Sequence, residues 1–132
     1  MDETGMGIKI ITGGVTAARG FKAASTAAGI KYKDRQDMAM IYSQEPCRSA
    51  GTFTTNIVKA APVKWDKNQV TSGAPARAVV INAGIANACT GEEGMGYCGQ
   101  TAEAAALALG ISAESVLVAS TGVIGMQLPM DR

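Results

Sequence analysis

The C-terminal half of the chain carries a strand–helix–strand pattern, and this pattern restricts the fold more than any other feature. Residues 78–82 and 116–119 are short apolar runs of the kind found in buried strands. Residues 91–109 between them predict a helix, with Gly110 at the usual helix-ending position. Its predicted buried face consists of Ala102, Ala105, Ala106 and Leu109. If the two strands are parallel, the segment is a right-handed βαβ unit, so we expect an α/β layered sandwich with a mixed sheet.

Further strands are predicted upstream of this unit. β-branched and aromatic residues favour strands at residues 7–12, 37–42 and 50–56. Residues 21–30 fit either a strand–turn–strand or an Ala-rich helix.

The remaining segments predict connections and a tail. Pro62 and Pro75 favour loops with at most a short helix across residues 57–76. Residues 1–7 are predicted to be a flexible tail, and residues 8–132 to form a single α/β domain or part of one.

Composition argues against several classes of function. Lys and Arg number 12 against 11 Asp and Glu, a net charge of +1, so no nucleic-acid or membrane surface is expected. No apolar run approaches the ~20 residues that cross a bilayer. Cys47, Cys89 and Cys98 lack the spacing of metal ligands, so no metal site is expected. Cysteines that are few and odd in number are typical of proteins in the reducing cytoplasm, so we expect a cytoplasmic protein.

Two features of composition bear on catalysis and on folding. The chain has no histidine, which excludes a Ser-His or Cys-His pair formed within it. Any proton acceptor must be a carboxylate, a lysine, an amine or a group on another polypeptide. Much of the 47% hydrophobic content is alanine, which buries little area per residue. We therefore expect the fold to be incomplete without a companion chain.

Ser120, Thr121 and Gly122 follow the last predicted strand, at the end where ligands gather in α/β proteins. The Thr121 hydroxyl and the Gly122 backbone N–H are two donors that can stabilise one oxyanion. The alternative is an ordinary strand-to-turn transition with a hydroxyl cap.

The loop at residues 82–91 is the second candidate site. Asn82, Asn87 and Thr90 are candidate substrate-binding residues, with Thr90 a candidate N-cap of the helix. The loop either receives an anion at a helix N-terminus or is a structural turn whose side chains satisfy its own backbone. Cys89 is interpreted as a small buried residue rather than a nucleophile. A basic group is interpreted as a solvated face: Lys22, Lys31, Lys33 and Arg35.

Four segments taken in order, residues 13–24, 51–63, 82–91 and 120–131, resemble the N-terminal part of ornithine acetyltransferase, the bifunctional glutamate N-acetyltransferase family of arginine biosynthesis. The resemblance implies a precursor that cleaves itself into alpha and beta chains, which assemble as a heterotetramer of two of each. It also implies a ping-pong transfer of acetyl from N-acetylornithine to glutamate, through a threonine at the new N-terminus of the beta chain.

In this family a Thr-Gly pair forms the oxyanion hole, and Thr121 and Gly122 match it. Cleavage occurs at an Ala-Thr bond, but this chain contains no Ala-Thr dipeptide. The resemblance therefore implies a truncated alpha chain whose nucleophile lies outside this sequence. No cofactor is implied, and use of acetyl-CoA as a further acetyl donor is left open. The rival hypothesis is a non-catalytic α/β module that binds a small anionic metabolite at the 82–91 loop.

Overall fold

The structure is a computed structural model that describes residues 8–132, so the predicted tail at residues 1–7 lies outside the described residues. Single turns of 3-10 helix lie at Val15–Ala17 and Ala113–Ser115. The longer elements of the described part are β1 (Phe21–Thr26), β2 (Met38–Cys47), α1 (Ala61–Ser72), β3 (Ala76–Ile85), α2 (Gly91–Leu109) and β4 (Val116–Val123).

The strands form one mixed sheet in the order β1-β2-β3-β4. β1 pairs antiparallel with β2, and β2 antiparallel with β3. β3 and β4 are parallel and are connected through α2. The predicted mixed sheet and βαβ unit are therefore confirmed.

Both helices pack against the sheet through a core of small side chains. α1 and α2 contact each other and β4, which places them on the same face. Alanine at the contact positions of α2 lets its backbone approach the valines of β3 and β4 closely. The buried core consists of Ala61, Ala78, Val80, Cys98, Ala102, Ala105, Ala106, Val116 and Val118.

The glycine and proline residues near the helix ends account for where each helix begins and ends. α2 spans the predicted residues and ends at Gly110, whose φ of +65° is the left-handed conformation expected there. α1 is a 12-residue helix, so the prediction of at most a short helix across this region is wrong. Pro62 lies in the first turn of α1, where its missing N–H would have no partner inside the helix. Pro75 lies beyond the end of α1 and interrupts nothing.

Two predicted strands are absent from the described residues. Residues 8–12 and 50–56 contain no strand, and residues 21–30 form one strand and a loop rather than a strand pair or a helix. In the second segment the backbone bonds to nearby side chains: the Asn56 N–H donates to Thr54 Oγ1 at 3.1 Å, and the Val58 N–H to Asn56 Oδ1 at 3.0 Å. Thr and Asn compete with strand pairing in this way.

Candidate functional site

Thr121 and Gly122 lie inside β4, at its carboxyl end. The prediction that this strand stops at residue 119 is wrong, because β4 continues to Val123. The parallel partner β3 extends equally far, so Ala83 lies opposite Thr121 and Gly84 opposite Gly122. The sheet, rather than a loop, therefore fixes the position of the Thr-Gly pair.

Gly122 is held against the backbone of β3. Its φ is +136°, and the opposite Gly84 also has a positive φ, +109°. A Cβ on Gly122 would overlap the Gly84 carbonyl group and lie 2.5 Å from the Ile85 nitrogen. Only glycine fits this contact. Thr121 and Gly122 are both exposed, so an outside group can reach them.

Side chains of α1 bond to the backbone of β4 just before the Thr-Gly pair. Trp65 Nε1 donates to the Val116 carbonyl at 3.0 Å, and the Val118 N–H donates to Asp66 Oδ1 at 2.9 Å. Burial raises the pKa of the Asp66 carboxyl above its usual value, although the hydrogen bond from Val118 opposes this. Sequence reasoning did not find these contacts, since they join residues more than 50 positions apart.

A cleft of about 400 Å³ lies beside this stretch of β4. Phe53, Pro62 and Asp66 line it together with Ser120. The Ser120 hydroxyl is buried and has no hydrogen-bond partner among the described residues. The residue next to Thr121 therefore has a buried polar atom without a partner, behind a largely apolar cleft wall.

The candidate residues of the 82–91 loop are buried and bond to the loop itself. Asn82 Nδ2 donates to the Ile85 carbonyl at 2.8 Å, and Asn87 Nδ2 to the Gly94 carbonyl at 2.9 Å. Thr90 occupies the N-cap of α2, but its hydroxyl donates to Asn87 Oδ1 at 2.7 Å and accepts no helix N–H. This geometry favours the structural turn over the anion-receiving loop, because the side chains already have partners.

The three cysteines differ in their surroundings. Cys89 is exposed, so its interpretation as a buried residue is wrong. Cys98 is buried in the core, where burial and the nearby Asp66 raise the pKa of its thiol to about 11. Cys47 is partly buried and donates to the Ser43 hydroxyl at 3.2 Å.

We expect limiting iodoacetamide at pH 8 to alkylate Cys89 first and Cys98 last. Cys89 is exposed, so the reagent can reach its thiol. Cys98 is buried, and its thiol, with a pKa of about 11, is hardly ionised at pH 8. Mass spectrometry of the proteolytic peptides measures the order, and faster labelling of Cys98 would contradict the structure. Cys89→Ala should leave turnover of the full-length protein within a few-fold, since no side chain of residues 8–132 forms a hydrogen bond with this thiol to activate it.

Neither helix of the described part is long and apolar enough to cross a membrane. Across residues 8–132, no group of three or more Cys, Asp or Glu side chains is arranged to hold a metal ion.

Comparison with known sequences gives one consistent result. The sequence model of the ArgJ family matches residues 22–132. The arginine biosynthesis bifunctional protein ArgJ of Gloeobacter violaceus is 51% identical over 122 residues, covering 92% of this chain and 30% of that protein. The protein of the same name from Symbiobacterium thermophilum is 52% identical over 124 residues, covering 92% and 31%. The chain thus spans about 30% of the length of these relatives.

Solved structures show the same similarity. Arginine biosynthesis bifunctional protein ArgJ from Bacillus halodurans superposes with a TM-score of 0.85 at 39% identity, covering 90% of this chain and 62% of that one. Ornithine acetyltransferase from Mycobacterium tuberculosis, solved in complex with ornithine, gives a TM-score of 0.85 at 49% identity, covering 89% and 64%. The α/β arrangement described above is therefore also that of these structures.

Proposed function

The chain belongs to the ArgJ family, and from this membership we propose that it is part of an enzyme that transfers an acetyl group from N-acetylornithine to glutamate. The names of its relatives support this, since two are arginine biosynthesis proteins and one solved neighbour is an ornithine acetyltransferase with ornithine bound. The observation that carries the proposal is the exposed Thr121–Gly122 pair, fixed at the end of two parallel strands.

The proposed role of this chain is electrostatic. Attack on the acetyl carbonyl gives a tetrahedral intermediate whose oxygen bears negative charge. The Thr121 hydroxyl and the Gly122 N–H donate hydrogen bonds to that oxygen. Because the contact with Gly84 fixes Gly122 beforehand, little reorganisation is needed as the charge develops.

The proposed nucleophile is a threonine outside this sequence, at the N-terminus that precursor cleavage creates on a companion chain. Its α-amine serves as the base, in keeping with a chain that has no histidine. The acetyl group passes to this threonine, ornithine leaves, and glutamate then receives the acetyl group. The proposal includes two chains of each kind in a cytoplasmic heterotetramer and a reaction that needs no metal, with acetyl-CoA to be tested as a second donor.

The test is to quench the full-length protein during turnover and locate the acetyl group. We expect N-acetylornithine to add one acetyl group, about 42 Da by mass spectrometry, to a threonine outside residues 1–132, because covalent catalysis requires an activated nucleophile. Glutamate should then remove it and yield N-acetylglutamate.

The same experiment with acetyl-CoA in place of N-acetylornithine establishes whether it is a second donor. Acetyl stably attached to Thr121 or Cys89 would contradict the proposed division of roles. Absence of any acetyl transfer by the cleaved, folded protein would refute the proposed function itself.

A further inference from the structure

The loop between β1 and β2, residues 27–37, is tied to the end of β3 by its last residue, the buried Asp37. Asp37 is 4% exposed, and its two carboxylate oxygens accept hydrogen bonds from the Ala28 N–H at 2.7 Å and the Ile30 N–H at 2.6 Å. Its carbonyl oxygen accepts from the Ala83 N–H at 2.8 Å. Hydrogen bonds to a buried carboxylate are among the stronger ones in proteins, so this end of the loop has a fixed position.

Lys31 follows Ile30 directly and lies against Gly84. A Cβ on Gly84 would be 3.0 Å from the Lys31 Cβ. Gly84 is also the residue against which Gly122 packs. The stem of Lys31 is therefore separated from the Thr121–Gly122 pair by a single glycine of β3, and a lysine side chain is long enough to extend past a residue with no side chain.

The loop carries three cationic side chains and one exposed carboxylate, Asp34. Lys31, Lys33 and Arg35 are exposed, and none of them forms a salt bridge with a carboxylate of residues 8–132. Lys31 Nζ lies 5.0 Å from the centroid of the Tyr32 ring, and the Arg35 guanidinium lies 5.1 Å from the same centroid. One ring thus contacts two cations, and an anion bound beside them would offset their mutual repulsion.

We propose that Lys31 binds the α-carboxylate of the amino-acid substrate. This inference rests on the proposed acetyl transfer. In both N-acetylornithine and glutamate, a single carbon separates the carboxylate from the nitrogen that gives or receives the acetyl group. A carboxylate recognised next to the oxyanion-stabilising pair therefore needs a cation close to that pair. The stem of Lys31, held against Gly84, gives its ammonium group a short path to that position.

The test compares two acetyl donors in the full-length protein: N-acetylornithine and its α-carboxamide, which lacks the negative charge. We expect Lys31→Met to raise KM for N-acetylornithine by about 10- to 100-fold, the usual effect of losing a hydrogen bond between charged groups, with kcat changed only a few-fold. KM for the carboxamide should be almost the same in both proteins. The preference of the wild type for the carboxylate should therefore disappear in the variant.

Matched variants separate charge recognition from structure. Lys33→Met removes a neighbouring cation and should change KM for N-acetylornithine by less than about threefold. Lys31→Arg should recover part of the carboxylate preference. Equal losses on the carboxylate and the carboxamide in Lys31→Met would overturn the proposal, as would an unchanged KM for N-acetylornithine. A wild-type protein without acetyl transfer would instead show the proposed function to be wrong before any variant is made.

Discussion

Replacing Thr121 with alanine in the full-length protein should lower kcat for acetyl transfer by roughly 10²–10³-fold, or ~2.7–4 kcal/mol, the usual effect of losing one oxyanion donor. KM should change little, because the negative charge on the carbonyl oxygen develops only in the transition state. Thr121 is exposed, so the loss should leave the fold intact. Steady-state kinetics with N-acetylornithine and glutamate measures the effect, and a thermal melt verifies folding.

Thr121→Ser is the matched variant, since it keeps the hydroxyl and removes only a methyl group. It should retain much of the activity. If the alanine and serine variants were equally active in folded protein, Thr121 would be an ordinary strand residue. Gly122→Ala does not isolate the second donor, because the new Cβ would overlap the Gly84 carbonyl and perturb the sheet.

Gly94→Ala should lower the free energy of unfolding by about 2–4 kcal/mol, through overpacking and the loss of a buried hydrogen bond. A Cβ at this position in α2 would overlap the Thr90 hydroxyl and lie 2.5 Å from Asn87 Oδ1. These two atoms are hydrogen-bonded to each other within the 82–91 loop, so both cannot keep their places.

Gly96→Ala is the control on the same helix. Position 96 is exposed, and a Cβ there meets nothing within 4 Å. Alanine should therefore stabilise the protein by up to about 1 kcal/mol through its higher helix propensity. Urea unfolding of the full-length proteins compares the two variants. Similar stabilities for both variants would mean that Thr90 and Asn87 are not packed and hydrogen-bonded beneath Gly94.

The parts of the fold that local sequence determines were predicted, and the parts that depend on distant partners were not. α2 has its periodic face and its terminal glycine within one stretch of sequence, and its predicted bounds match the structure. The length of α1 is underestimated because Pro62 is taken as a helix breaker unless its position in the first turn is known. Residues 50–56 have strand composition, but composition does not reveal whether a partner strand is available.

In the candidate site, too, local sequence reveals the residue types, whereas their contacts depend on distant parts of the chain. Thr121 and Gly122 stand out in the sequence because hydroxyl and glycine follow an apolar run. The contact of Gly122 with Gly84 depends on the parallel register of β3 and β4, which no local pattern specifies. Asn82, Asn87 and Thr90 were recognised as polar residues in a loop, but the direction of their side chains follows from the fold around them.

The hydrogen bonds that Trp65 donates to β4 and that Asp66 accepts from it also affect contacts between molecules of this protein. An edge strand with free backbone groups is a template on which a strand from a second molecule can extend the sheet, and growth of this kind leads to aggregation. At Val116 and Val118 one carbonyl and one N–H already bond to these side chains. An incoming strand would have to displace an indole and a carboxylate before it could pair there, so α1 protects this stretch of β4 from intermolecular sheet formation.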